Sequence, residues 1–127
     1  MRGVLIDTSV WVDHFRQHND VLVDLLDLDL ALTNPMVLVE LACGTLPAPR
    51  VQTLNDIGLL QQTQQASLPE VMEFVEREKL YGLGCGLVEM VLLASALITP
   101  SAELWTLDKR LAALSERFGV MHQPTLH

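Results

Sequence analysis

The fold of this chain is decided by one run of residues, Val4-Leu5-Ile6-Asp7-Thr8-Ser9-Val10-Trp11-Val12-Asp13. Its first three residues are apolar and branched, which is typical of a strand buried on both faces in a parallel sheet. Asp7 follows at the carboxyl end of this strand, and Thr8 or Ser9 can cap a helix that extends through about Phe15. The run therefore predicts a buried strand that ends in an acidic side chain at the start of a helix.

Helices and strands alternate through the rest of the chain. Apolar periodicity predicts helices over residues 21–28, 35–43, 67–80 and 86–97, and a last helix with one apolar face made of Leu111, Leu114 and Phe118. Short apolar runs predict strands over residues 30–33 and 103–107, and two prolines predict a loop over residues 45–50. Two helix starts are indicated by capping residues. One is Asn34 before Pro35, and the other is Ser67 with Glu70 at capping-box spacing.

This alternation predicts an α/β fold with a central parallel sheet, helices on both faces, and right-handed crossovers between the strands. The chain has 127 residues, so we expect one domain over residues 1–127. In such sheets, ligands bind beyond the carboxyl ends of the strands. Asp7 and Asp108 both lie at predicted strand ends of this kind.

Composition narrows the class of protein. Half of the residues are apolar and 19% are charged, as in an ordered globular protein. The longest apolar stretch, residues 87–98, contains Glu89 and is shorter than the roughly 18 to 20 residues that a bilayer span requires, so we expect no membrane segment. Two cysteines, Cys43 and Cys85, are too few for a disulfide framework, which favours a reducing, cytoplasmic setting.

The net charge of the chain argues against a protein that binds nucleic acid by its general field. The formal charge is −8, whereas phosphate binding is normally led by Lys and Arg. An RNA substrate would therefore require bound metal cations or a partner protein to offset the repulsion.

Most of the sixteen acidic residues lie in polar, periodic contexts, and the four exceptions are Asp7, Glu40, Glu89 and Asp108. Glu40 and Glu89 have apolar neighbours, and burial of a lone carboxylate costs several kcal/mol unless a cation or a proton compensates it. If the four acids converge within about 5 Å, each close pair repels, and a divalent cation reverses the sign of that interaction. Oxygen ligands without His or Cys suit Mg²⁺ or Mn²⁺. Such a site activates water, so the pattern predicts hydrolysis of a phosphodiester.

Each of these acids also has a purely structural interpretation. Asp7 and Asp108 can cap helices, a role that does not exclude metal binding. Glu40 and Glu89 can pair with a buried cation, and the candidate partners are Arg2, Arg50 and Arg77. The joint placement of the four acids favours the metal site over four separate structural roles.

Other polar residues carry weaker signals. His14 and His18 have no Cys or His at metal-ligand spacing, which favours a surface role over zinc binding. Lys109 and Arg110 follow Asp108 and can either contact RNA phosphates or remain exposed on a first helical turn. Thr106 fits a plain strand threonine better than a hydrogen-bonding residue of the site.

Four segments together resemble the PIN-domain family, and more closely the VapC toxins of bacterial toxin–antitoxin pairs; they are residues 4–13, 39–44, 86–97 and 104–111. They span nearly the whole chain in the family's order. The resemblance implies a three-layer fold with a central, mostly parallel sheet, Mg²⁺ or Mn²⁺ in an acidic pocket, and endonucleolytic cleavage of RNA. By motif position, the catalytic and metal-binding acids are Asp7, Glu40, Glu89 and Asp108. The family usually carries Asp at the third of these positions, where this chain has Glu89.

The resemblance also implies partners. They are a homodimeric second copy and a cognate VapB-type antitoxin that inhibits the toxin in the bacterial cytoplasm, with operator DNA bound only through the antitoxin. One alternative is a catalytically silent PIN domain that acts as a protein-binding or co-repressor module, and Glu89 is the feature that favours it. Another is a phosphoryl-transfer enzyme or receiver domain with Asp7 as nucleophile, which Ser9 disfavours because a second Asp is absent there.

Overall fold

A computed structural model describes residues 2–124 of the chain, and in this part strands and helices alternate. The strands are β1 (Gly3–Ile6), β2 (Ala31–Thr33), β3 (Gln61–Gln62) and β4 (Ala102–Trp105). The helices are α1 (Thr8–Arg16), α2 (Asp20–Asp27), α3 (Pro35–Ala42), α4 (Arg50–Gly58), α5 (Leu68–Glu78), α6 (Leu87–Ile98) and α7 (Lys109–Arg117).

The strands form one sheet in the order β3-β2-β1-β4, and every pair in it is parallel. All four residues of β1 are buried, because this strand lies between β2 and β4 and is covered on both faces. In the register of the sheet, Val4 lies opposite Ala31 on one side and Glu103 on the other. The predicted α/β fold with a central sheet flanked by helices is confirmed.

Helix α6 is the main helix of the core. Its residues from Met90 to Ala96 are all buried, and it packs against α3, α5, α7 and β4. The apolar stretch that the sequence places here is therefore a core helix, with Glu89 at its less buried amino end. None of the helices formed by residues 2–124 combines the length and the hydropathy that a membrane span requires.

The predicted helix caps at Asn34 and Ser67 are confirmed, whereas the cap predicted at Thr8 or Ser9 is wrong, because α1 begins at Thr8 and Asp7 occupies its N-cap position. The side chain of Asn34 accepts a hydrogen bond from the backbone N–H of Met36 at 2.9 Å. Ser67 and Glu70 form a reciprocal capping box, in which each side chain accepts a hydrogen bond from the other residue's backbone N–H. These interactions involve residues within three positions of each other, which is why the sequence pattern is sufficient to find them.

Helix α4 and strand β3 were not predicted. In α4 only Ile57 is buried, so its sequence lacks a strong apolar stripe. Its first residue, Arg50, donates hydrogen bonds to the carbonyls of Gly44 and Ala42, which hold this predicted loop residue in place. Strand β3 consists of two exposed glutamines that join the sheet through their backbones alone.

Candidate active site

A cleft of about 450 Å³ lies beyond the carboxyl ends of β1 and β4, and all four predicted acids line it. Asp7 follows β1, Glu40 comes from α3, Glu89 from α6, and Asp108 precedes α7. Asp13 adds a fifth carboxylate to the wall. The other lining residues are Thr8, Ser9, Val12, Arg16, Val88 and Leu107. Asp7 and Asp108, whose positions differ by 101, thus share one concave surface with Glu40 and Glu89.

Asp7 is the buried member of the group, with 7% of its surface exposed. Its Oδ2 atom accepts hydrogen bonds from Ser9 Oγ and from Thr106 Oγ1, each at 2.7 Å. A hydroxyl has only one proton to donate, and Ser9 and Thr106 both donate it to Oδ2. Among residues 2–124 no side chain donates to Oδ1, which leaves that oxygen available to a ligand in the cleft.

The same two hydroxyls attach Asp7 to the turn between β4 and α7. Ser9 Oγ accepts from the backbone N–H of Leu107 at 2.9 Å, and Thr106 Oγ1 accepts from that of Asp108 at 3.0 Å. The interpretation of Thr106 as a plain strand threonine is therefore wrong. The contact joins residues 99 positions apart, which no local pattern reveals.

Asp108 is exposed and caps α7, since its Oδ1 atom accepts a hydrogen bond from the backbone N–H of Leu111 at 2.9 Å. The capping interpretation of Asp108 is thus correct, and it fixes one carboxylate oxygen while the residue lines the cleft. For Asp7 the capping interpretation is wrong. Asp7 occupies the N-cap position of α1, but its side chain makes no capping hydrogen bond.

Glu40 and Glu89 have no ion pair with any of the predicted cations. Within residues 2–124, Arg2 pairs with Glu103, Arg77 pairs with Glu73 and Glu78, and Arg50 donates to backbone carbonyls. Both glutamates are half-buried at the wall of the cleft, although their neighbours in sequence are apolar. The salt-bridge alternative is therefore wrong for both residues.

Glu89 has a local role that the sequence analysis did not assign. Its Oε2 atom accepts a hydrogen bond from the backbone N–H of Gly86 at 3.0 Å, so the side chain folds back on the start of α6. The negative charge also lies near the positive end of the helix dipole, which stabilises an acid there. One oxygen of Glu89 is thus engaged by its own helix.

The chemistry of the donors fits a hard divalent cation. The cleft presents carboxylate oxygens and hydroxyls, and no His or Cys among residues 2–124 lines it. In the part of the chain that the structure describes, no three His, Cys, Asp or Glu side chains form a compact cluster. Mg²⁺ usually retains several waters, and such waters can span the gaps between carboxylates in a cleft of this volume.

Cys85 lies near the acids but is not a suitable nucleophile. Burial raises the pKa of its thiol, and the charges of Asp108 and Glu89 raise it further against the opposing effect of Arg110. A thiol with a raised pKa stays protonated at neutral pH, and the thiolate is the reactive form. The negative charges of Asp108 and Glu89 thus act on Cys85, which lies just before α6.

His14 and His18 lie at the end of α1 and just after it, and they have structural partners there, in line with the surface role predicted for them. His14 Nδ1 accepts a hydrogen bond from the backbone N–H of Asn19 at 3.0 Å. Burial lowers the pKa of His14, and the nearby His18 lowers it further. Neither histidine lines the cleft.

Sequence reasoning missed several lining residues on α1, namely Ser9, Val12, Asp13 and Arg16. They recur at spacings of three and four residues, which places them on one face of a helix. Lys109 and Arg110 are absent from the residues that line the cleft. Helical spacing of three, four and seven residues counted from Ser9 was the available signal for the missed residues.

A parallel sheet with acids gathered beyond its strand ends is the arrangement of a PIN-type nuclease domain. No family model matches the chain. The chain is similar to Ribonuclease VapC32 of Mycobacterium tuberculosis, in both strain CDC 1551 / Oshkosh and strain ATCC 25618 / H37Rv, with 40% identity over 117 residues. This match covers 92% of the chain and 94% of each relative. The chain therefore belongs to the VapC family of PIN-domain proteins.

Proposed function

We propose that this chain is a divalent-metal-dependent endoribonuclease that hydrolyses RNA phosphodiester bonds, as the toxin of a VapBC-type toxin–antitoxin pair. The observation that carries the proposal is the convergence of Asp7, Glu40, Glu89 and Asp108 on one cleft. The name of the M. tuberculosis relatives, Ribonuclease VapC32, supports the reaction class. We take residues 1–127 as a single PIN domain.

In this proposal the four acids hold Mg²⁺ or Mn²⁺. A bound divalent cation lowers the pKa of a water and offsets the charge that develops on the phosphodiester. Hydrogen bonds within the chain orient Asp7 and Asp108 independently of a bound metal. Ser9 and Thr106 immobilise Asp7 through Oδ2, and the cap of α7 immobilises Asp108 through Oδ1. In this proposal Asp7 and Asp108 then offer their second oxygens to the cation, and less conformational entropy is lost on binding because the side chains are already held.

The proposal is tested by cleavage of a labelled single-stranded RNA by the purified protein. We expect at least a roughly tenfold higher rate with Mn²⁺ or Mg²⁺ than with a chelator, since the cation would activate the attacking water and offset the charge on the phosphodiester. Re-addition of Mn²⁺ after chelation is the control and should restore the rate. Cleavage that is equally fast in the chelator, or no cleavage with any divalent ion, would contradict the proposal.

Replacement of Thr106 by Val should weaken the metal site. Valine keeps the shape of the residue but removes a proton donor from Asp7 and an acceptor from the Asp108 N–H. Loss of such a supporting hydrogen bond typically costs about tenfold in metal affinity or activity. The measurement is the Mn²⁺ concentration that gives half-maximal cleavage. Thr45→Val, at an exposed loop position, is the control; an equal response of both variants would show that Thr106 does not act through Asp7.

A catalytically silent module remains the second candidate, because one oxygen of Glu89 is engaged by Gly86 where the family usually has Asp. Such a module would bind its antitoxin but cleave no RNA under any metal condition. The cleavage experiment therefore separates the two candidates.

The negative charge of the cleft favours an inhibitor that carries a positive side chain. A VapB-type antitoxin that inserts an Arg or Lys among the carboxylates would offset their charge and block the substrate. We further propose a homodimer in the bacterial cytoplasm, with operator DNA contacted only through the antitoxin.

A further inference from the structure

Arg16 is the one cationic side chain among the described residues that line the acidic cleft. It is the last residue of α1 and is exposed to solvent. Neither of the nearby acids pairs with Arg16. Asp13 accepts a hydrogen bond from Gln17 at 3.3 Å, and Asp20 pairs with His18 at 3.2 Å. Within residues 2–124 the acids closest in sequence to Arg16 are thus engaged elsewhere, and its guanidinium has no ion-pair partner.

We propose that Arg16 binds a backbone phosphate of the RNA substrate, next to the phosphodiester that is cleaved. This inference rests on the proposed function of the same cleft. A guanidinium presents a planar set of donors that matches two phosphate oxygens at once, and it stays charged at any relevant pH. In a chain with a formal charge of −8, a cation inside the cleft supplies the attraction that the overall field lacks.

The length of α1 determines which phosphate Arg16 reaches. Asp7 precedes the first residue of this helix, and Arg16 is its ninth and last residue. A rise of 1.5 Å per residue separates the two backbones by roughly 13 Å. Arg16 therefore contacts a phosphate that neighbours the reacting one, and it acts in binding and not in the chemical step.

The cations that the sequence suggested for this role are less suitable. Arg110 packs against the loop before α6, with its Cδ atom 2.8 Å from the point where a Cβ on Gly84 would stand. Neither Lys109 nor Arg110 lines the cleft. Arg16 is better placed than both of them because it lines the same cleft as the acids.

The test measures RNA binding separately from cleavage. Binding of a fluorescent single-stranded RNA to full-length Asp7→Asn protein is followed by anisotropy with Mn²⁺ present, at several salt concentrations. We expect Arg16→Gln in this background to weaken binding about tenfold, as for loss of a charged hydrogen bond. The slope of log affinity against log salt should fall by about 0.7, the value for one phosphate contact with a single strand. Arg16→Lys should retain that slope with part of the affinity.

Arg117→Gln is the matched control, since it removes the same charge from the exposed end of α7, outside the cleft. It should change affinity less than about twofold, as a distant exposed charge is screened by salt. The inference is overturned if Arg16→Gln and Arg117→Gln weaken binding equally, if neither does, or if the parent protein binds no RNA.

Cleavage by the corresponding proteins with Asp7 intact distinguishes the two proposals. We expect Arg16→Gln to raise KM about tenfold with kcat nearly unchanged, because a contact that is equal in the ground and transition states affects binding alone. Binding that depends on Arg16 without metal-dependent cleavage would contradict only the nuclease proposal. Metal-dependent cleavage together with RNA binding that is unchanged by Arg16→Gln would contradict only the proposal that Arg16 binds a phosphate.

Discussion

Replacement of Asp7 by Asn should lower the rate of RNA cleavage by at least about 100-fold, the usual cost of removing one preorganised charge-stabilising group from a hydrolytic site. The substitution keeps the size of the side chain and removes its negative charge. Asp7 is the buried acid of the cleft, and its Oδ2 atom is already held by Ser9 and Thr106. An asparagine amide can also turn its NH₂ group toward the cleft, which would repel a cation.

The measurement for Asp7→Asn is the initial rate of cleavage at saturating Mn²⁺. Asp24→Asn is the control, because Asp24 is an exposed acid on α2 that does not line the cleft. It should cleave RNA at the parent rate. Equal cleavage by both variants would mean that the activity comes from another site or from a contaminant.

Replacement of Leu5 by Ala should lower the free energy of unfolding by about 3 kcal/mol, within the range of fully buried Leu→Ala substitutions. Leu5 has no exposed surface and lies in β1, between β2 and β4. Truncation leaves a cavity under the strand that positions Asp7, so the loss includes both the transfer of the side chain and the void.

Urea denaturation of Leu5→Ala and the parent protein gives this free-energy difference. Leu59→Ala, which truncates a side chain that is 83% exposed, is the matched control. It should change stability by less than about 0.5 kcal/mol. A similar loss in both variants would contradict the assignment of β1 to the centre of the core.

Each expectation that the structure changed has a physical cause that the local sequence pattern does not show. Thr106 and Asp7 are far apart in sequence, and their hydrogen bond exists only because β4 lies beside β1. Strand β3 has no apolar signal, since its pairing uses backbone groups that every residue carries. Helix α4 buries a single side chain, so its pattern is too weak to identify from periodicity.

Elements that depend on local interactions are visible in the order of the amino acids. The apolar run before Asp7 predicts a buried strand, the caps at Asn34 and Ser67 predict helix starts, and the stretch of α6 predicts a core helix. Burial preference and capping act over a few residues, so they are visible in the order of amino acids.

The way in which the acids are held depends on contacts between separate elements of the fold. Glu40 and Glu89 are half-buried and line one cleft with Asp7 and Asp108. In the same fold Asp7 accepts hydrogen bonds from Ser9 and Thr106, and Arg16 lines the cleft with the carboxylates. These contacts join separate strands and helices. Their geometry depends on how the whole sheet and its helices pack, and no spacing along the chain contains that information.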